Sequence, residues 1–373
     1  MELQSDEEEF QAAGLYDPTA PNAADRLALL RYLSGLGIPI DRMVEANAVG
    51  RLAGLAAEFV LRPEGEQLSL LDMSERTGLP VELLDDVRRA AGLPVVPDDA
   101  PAFSEFEVKT FESFARAASL FGVEPLLQYV RVLGSSMARL AEAAIEMFLV
   151  NIAAPLTDQG ELALAKANLE AAGALKDVPH VMDSLFRVHL AEAVRRFDAT
   201  RADSSSYDLA SMAVGFVDLV GFTPLSTQLS PRELAQVIDD FEARAYYLVA
   251  AHDGRVVKLV GDEVMFVTRQ AGGACEVALS LMESFEPTNS IVKPRGGLAF
   301  GELLARGGDY FGPTVNMASR IADLAVPHEV LTTMEVCKRA TSEAGERFRF
   351  DPAGRRQLKG FGEPVELMSI SRA

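Results

Sequence analysis

The chain has 373 residues, 49% of them hydrophobic, enough for two domains with real cores. Its 35 basic against 55 acidic residues give a formal charge of -20, which repels nucleic acid and anionic membranes at long range. Any anionic substrate must therefore meet local positive groups or metal ions, and the two cysteines, in no metal-binding spacing, exclude a disulfide framework.

The opening MELQSDEEEF is acidic and lacks the order of a signal peptide. The longest apolar stretch, AAIEMFLVNIAAPL, is short and interrupted by Glu146 and Asn151. A cytoplasmic protein that is not integral to a membrane is expected. DRLALLRYLSGLG repeats leucine at helical spacing and stops at glycine. Residues 68–93 break at Gly78 to Pro80 and resemble a helix-turn-helix, which is either a DNA reader or two packed helices. Acids Asp72, Glu75, Glu82, Asp85 and Asp86 outnumber Arg76, Arg88 and Arg89, so no nucleic-acid partner is expected.

Phe103, Phe106, Phe111, Phe114 and Phe121 recur at roughly helical intervals and read as core, the alternative being a lipid or small-molecule effector pocket between helices. Long helical patterns follow over about 124–152 and 180–197. His180 and His189 are the histidines of this half, and a side chain titrating near pH 6.5 would let a helical bundle respond to acidity. The polar segment ATRADSSSYD then reads as a linker. The expected organisation is an all-helical domain over 1–198, a linker over 199–210 and a second domain over 211–373.

MAVGFVDLV is an apolar strand holding one acid, Asp218, and it runs into GFT. Asp218 is not needed as a helix cap, because Ser230, Pro231 and Glu233 form a better start for the next helix. The amides from Val220 through Phe222 to Thr223 are placed to cradle a phosphate between strand and helix. RVVKLVGDEVMFV reads as a hairpin turning at Gly261 and Asp262, with Lys258 inside an apolar strand and Glu263 beside the turn. A charge there is costly to bury unless something pairs with it. Asp218 and Asp262 then end adjacent strands, and two carboxylates with phosphate oxygens are what Mg²⁺ prefers.

Further on, Asn316 and Arg320 share one helix face, where Arg320 either meets a ligand or simply pairs with an acid. Asp309 precedes them in the loop GGDYFG, and Lys359 lies in a loop between the last strands. The element order predicts an α+β protein whose second domain is a ferredoxin-like α/β sandwich, with helices on one side of an antiparallel sheet.

FVDLVGFT, KLVGDEVMF and DYFGPTVNMASR, in this order and spacing, resemble the signature of class III nucleotidyl cyclases, over residues 211–373. The resemblance implies an adenylate cyclase making cyclic AMP from ATP, with Asp218 and Asp262 holding two Mg²⁺ or Mn²⁺ ions. It further implies that Lys258 and Asp309 select the base, Asn316 orients the ribose, Arg320 stabilises the transition state and Lys359 binds the triphosphate. In the family these sets come from opposite subunits, so a homodimer with shared sites is implied. A guanylate cyclase is the near alternative, disfavoured by the Lys258 and Asp309 pair. A DNA-binding regulator with a degenerate nucleotide sensor is the distant one. GGDYF resembles the GGDEF of diguanylate cyclases, but there the motif is the hairpin tip, a place held here by VGDEV. The helical half resembles the autoinhibitory regulatory domain of actinobacterial cyclases that are released by acid, with His180 and His189 as candidate sensors.

Overall fold

The computed structural model describes residues 2–61, 67–201, 209–222, 225, 227–285 and 292–373. The chain divides into two compact units, Met1–Arg187 and Val188–Ala373.

The first unit is built from helices α1 (Glu2–Ala12), α2 (Ala23–Gly35), α3 (Ile40–Ala48), α4 (Leu55–Leu61), α5 (Leu70–Thr77), α6 (Val81–Ala90), α7 (Glu105–Phe121), α8 (Val123–Phe148) and α9 (Glu161–Ala174), with a two-stranded ribbon of β1 (Gln67–Leu68) and β2 (Phe103–Ser104). Helix α10 (Val178–Arg201) follows; it continues into the stretch read as a linker. Among the described residues the leucines and phenylalanines of the first unit form two cores. Leu29, Leu30, Leu33, Met43 and Ala165 fill one. Leu68, Met73, Leu84, Phe103 and Phe111 fill the other.

The α5–α6 pair is two packed helices. Ser69 and Asp72 cap α5 reciprocally, and Gly78 ends it in the left-handed conformation at φ 70°. The arginines of the pair are engaged within the protein: Arg88 is buried over the Phe103 ring, Arg89 pairs with Asp85 and Asp86, and Arg76 pairs with Glu105. Phe103, Phe111 and Phe114 are buried, whereas Phe106 and Phe121 face solvent. These buried rings are packing residues, and their placement lends no support to an effector pocket.

The second unit is a mixed sheet on which, among the described residues, four helices of 11 residues or more pack. Its strands are β3 (Leu209–Val220), β4 (Gly254–Val260), β5 (Glu263–Thr268), β6 (Lys293–Arg306), β7 (Asp309–Phe311), β8 (Val330–Thr333), β9 (Phe348–Arg356) and β10 (Val365–Arg372). Their order is β4-β5-β3-β6-β8-β10-β9, with β7 paired to β6. The helices are α11 (Pro231–Ala251), α12 (Ala271–Ser284), α13 (Pro313–Leu324) and α14 (Met334–Ala344). Helix α11 starts as its sequence requires: Pro231 is in its first turn and Ser230 and Glu233 close a capping box.

Two expectations are corrected. The sheet is not wholly antiparallel, because β6 and β8 run parallel. Nor do the helices lie on one side. Helices α11, α12 and α14 pack on the face carrying Ala213, Val217, Phe266 and Leu298. Helix α13 covers the other face, where Val315, Ala318 and Ala322 meet Met212, Val214, Phe216 and Ala299. The reason is visible in β3, where residues 212–217 are all buried, so both of its faces need a cover. Each fully buried aromatic or aliphatic side chain here contributes about 1.5–3 kcal/mol.

Candidate active site

Strand β3 is an interior strand, between β5 and β6, and delivers Asp218 close to its end, in register with Glu263 on β5 and Arg295 on β6. The β4–β5 turn, with Gly261 at φ 63°, brings Asp262 to the same edge, where its carbonyl accepts the Leu219 amide at 3.1 Å. Two carboxylates therefore meet: burial raises the Asp262 pKa above its ordinary value, and the charge of Asp218 adds to that rise. Glu263 is pushed up to about 7, first by burial and then by Asp218, Asp323 and Asp262.

One cation already answers this cluster. Arg295 Nε and Nη2 both donate to Asp218 Oδ2, at 3.0 and 2.8 Å, and its Nη1 donates to the Asp323 carbonyl at 2.8 Å. Asp218, expected to be free of structural duty, is thus ion-paired within its own chain. Sequence reading missed Arg295. Its signal was an arginine opening the strand that lies antiparallel to the one closing on Asp218.

The donor set suits a hard divalent cation. No group of three or more His, Cys, Asp or Glu placed to hold a metal occurs among the described residues. A bound ion would therefore rest on the Asp218 and Asp262 oxygens and complete its shell with water and substrate oxygens, the usual habit of Mg²⁺. Burial first, and then the charge of Asp218, raises the Asp262 pKa, and a cation bound there would favour its carboxylate form.

Lys258 and Asp309 form a second constellation. Lys258 Nζ donates to Asp309 Oδ2 at 2.6 Å, joining residues 51 positions apart in sequence. The pair is partly exposed, with side chains 40% and 28% accessible. The other oxygen, Asp309 Oδ1, accepts the Tyr310 amide at 2.7 Å, so the carboxylate is oriented from both sides. Among the described residues no hydrogen bond or ion pair joins this couple to Asp218 or Asp262.

Asn316 and Arg320 both sit on the exposed side of α13. Arg320 Nη1 reaches Asp323 Oδ2 at 3.2 Å, so in the single chain it does pair with an acid. Asp323 in turn lies 3.9 Å from Arg295, which links Arg320 to the carboxylate cluster through one shared acid. Helix α13 reaches this position because Gly297 lets it lie on β6; a Cβ there would be 2.2 Å from the Ala322 nitrogen.

The remaining candidates are placed as follows. Phe222 is partly buried and packs against the core shared with α11 and α12. Thr223 lies outside the described residues. Lys359 is exposed in the turn between β9 and β10. His180 and His189 are exposed on α10, and His180 lies within a turn of the Asp183–Arg187 ion pair.

Residues 8–194 match the family model described as the adenylate cyclase regulatory domain. Residues 204–370 match the one described as the adenylate and guanylate cyclase catalytic domain. An uncharacterized protein of Mycobacterium tuberculosis is 34% identical over 370 residues, covering 97% of this chain and 93% of its own. A protein of the same species named as a pH-sensitive adenylate cyclase is 31% identical over 360 residues, covering 94% of this chain and 88% of its own. An adenylate cyclase of Streptomyces coelicolor is 34% identical over 259 residues, covering 68% and 66% respectively.

Proposed function

Since the chain belongs to the adenylate and guanylate cyclase family and carries that family's regulatory and catalytic domains in one polypeptide, we propose that it is an adenylate cyclase. It converts ATP to 3′,5′-cyclic AMP and pyrophosphate in a homodimer whose sites are shared between chains. The helical half, residues 1–198, holds the catalytic half, residues 211–373, in check through a linker at 199–210, and acid releases it.

The observation that carries ATP as substrate is the Lys258–Asp309 couple. Adenine offers an acceptor at N1 and a donor at its 6-amino group, which a lysine donor and an aspartate acceptor complement. Guanine presents the opposite polarity at those atoms. A mismatch leaves polar groups of the site unpaired, and such discrimination is large.

Asp218 and Asp262 would hold two divalent cations, Mg²⁺ or Mn²⁺, whose chemistry is to make the ribose 3′-hydroxyl more acidic and to offset the triphosphate charge. In the reaction the 3′-hydroxyl gives its proton to water, the 3′-oxygen bonds to the α-phosphorus, the bond from that phosphorus to the oxygen bridging it to the β-phosphorus breaks, and pyrophosphate leaves with its electron pair. Arg320 offers a guanidinium to the charge that develops at phosphorus, and Asn316, one turn earlier, orients the ribose. Lys359, exposed on its turn, is free to meet the triphosphate of an incoming nucleotide. The amides that follow Asp218 in sequence, those of Phe222 and Thr223, would face phosphate.

The match to the catalytic-domain family supports a shared site. Each chain carries the Asp218–Asp262 set and the Lys258–Asp309 set once, with no hydrogen bond or ion pair between them among the described residues. Asp218→Ala and Arg320→Ala proteins, each inactive alone, should recover on mixing toward about a quarter of the wild-type rate, because half the dimers are mixed and each holds one intact site. No recovery with mixed dimers demonstrated would rule the shared site out.

A further inference from the structure

Arg255 stands on β4, on the same strand as Lys258, and belongs to no part of the site described above. Its Nη2 donates to the Gly308 carbonyl at 2.6 Å, and its guanidinium carbon lies 5.3 Å from the centre of the Tyr310 ring. Gly308 and Tyr310 flank Asp309. One arginine thus grips both chain neighbours of the aspartate that faces Lys258. Its Nε is buried and has no partner among the described residues, which leaves the Gly308 hydrogen bond and the Tyr310 ring as the contacts of its guanidinium among them.

The strand geometry makes this possible. In β4 the pairing with β5 shifts between Val256 and Lys258, an irregularity that adds a residue to the strand. In a regular strand, residues three apart point to opposite faces. Here Arg255 and Lys258 both reach β7 and the turn before it, the first at Gly308 and Tyr310, the second at Asp309. That strand is held in the sheet by three residue pairs with β6, and Gly307 and Gly308 at its turn have φ of 61° and 78°. A partly exposed ion pair such as Lys258–Asp309 does not by itself fix a hairpin tip. A planar guanidinium that hydrogen-bonds and stacks does so more firmly.

We propose that Arg255 is a positioning residue for base selection, clamping the β6–β7 turn onto β4 so that Asp309 faces Lys258 in the geometry that prefers adenine over guanine. This rests on the reading of Lys258 and Asp309 as the base-selecting couple. The clamp acts on where Asp309 sits and not on the chemistry at phosphorus, so its loss changes nucleotide choice more than turnover.

The test is the ratio of kcat/KM for ATP to that for GTP in the full-length protein. Arg255→Met, which keeps the stem and removes the guanidinium, should lower that ratio roughly tenfold, chiefly through a higher KM for ATP with kcat largely retained. Arg255→Lys should be intermediate, restoring a donor to Gly308 without the planar stack. If Arg255→Met fails to fold, Tyr310→Leu removes the stacked ring and carries the same expectation. Equal loss with both nucleotides, up to complete inactivity, means a role in stability alone and overturns the proposal. Asp309→Asn separates the two ideas. If it shifts the ratio and Arg255→Met does not, only the clamp falls; if Asp309→Asn leaves the ratio unchanged, the base-selecting reading falls and the clamp falls with it.

Discussion

Arg295 shows how a single side chain can govern a cluster of acids. Its Nε and Nη2 share Asp218 Oδ2, and its charge opposes the rise in the pKa of both Asp262 and Glu263. Arg295→Ala should destabilise the metal-free protein by about 1–3 kcal/mol, the cost of leaving a partly buried carboxylate without its partner, read by urea unfolding. Glu263 sets a pH dependence whose sign follows from its raised value, about 7 against an ordinary 4.5. The folded state holds the Glu263 proton more tightly than the unfolded chain, so this stabilisation is full below about pH 4.5 and is lost as pH rises through about 7. Glu263→Gln should flatten that part of the stability profile in metal-free protein, and an unchanged slope would assign it elsewhere. Asp218 and Lys258 were legible because charged residues in apolar strands stand out, and Asp262 because it follows Gly261 in a hairpin turn. Arg295 was not, because its meaning depends on a register partner that lies 77 positions away.

At the scale of elements, start signals and turns were legible and the choice of sheet face was not. The capping box of α11 is read directly from Ser230, Pro231 and Glu233, and Ser230→Ala should cost about 1 kcal/mol in thermal or denaturant unfolding. Helix α13 was legible as a helix carrying Asn316 and Arg320, but its own apolar stripe cannot say which side of a sheet it will cover. The signal was in β3, whose unbroken burial from 212 to 217 demands helices on both faces. Gly297 is where the helix and β6 touch, within 2.4 Å of the Ala318 carbonyl for a Cβ placed there. Gly297→Val should therefore push α13 off the sheet, costing roughly 1–3 kcal/mol or more as overpacking and moving Arg320, so that melting temperature and activity fall together.

At the scale of the whole molecule, helical regulatory and cyclase catalytic family models follow one another along the chain. Among the described residues no helix is long and apolar enough to cross a membrane. If the helical half restrains catalysis at neutral pH, cyclic AMP formation by the full chain should change steeply between pH 5.5 and 8, while residues 205–373 respond only weakly. A tenfold change needs just ~1.4 kcal/mol of differential protonation energy. Identical profiles would remove acid control by that half, and a retained slope after His180→Asn with His189→Asn would move the sensor elsewhere. The sequence by itself determined the order of the halves, the hairpin that presents Lys258 and Asp262, and the family, because turn chemistry, capping and motif spacing are local. Only the tertiary structure decided that Asp218 is paired to Arg295, that Lys258 meets Asp309 with Arg255 gripping its neighbours, and that α13 lies on the opposite face from α11, α12 and α14. Those are contacts between distant segments, set by strand register and by which apolar surfaces remain to be covered, and neither quantity is written in any one stretch of the chain.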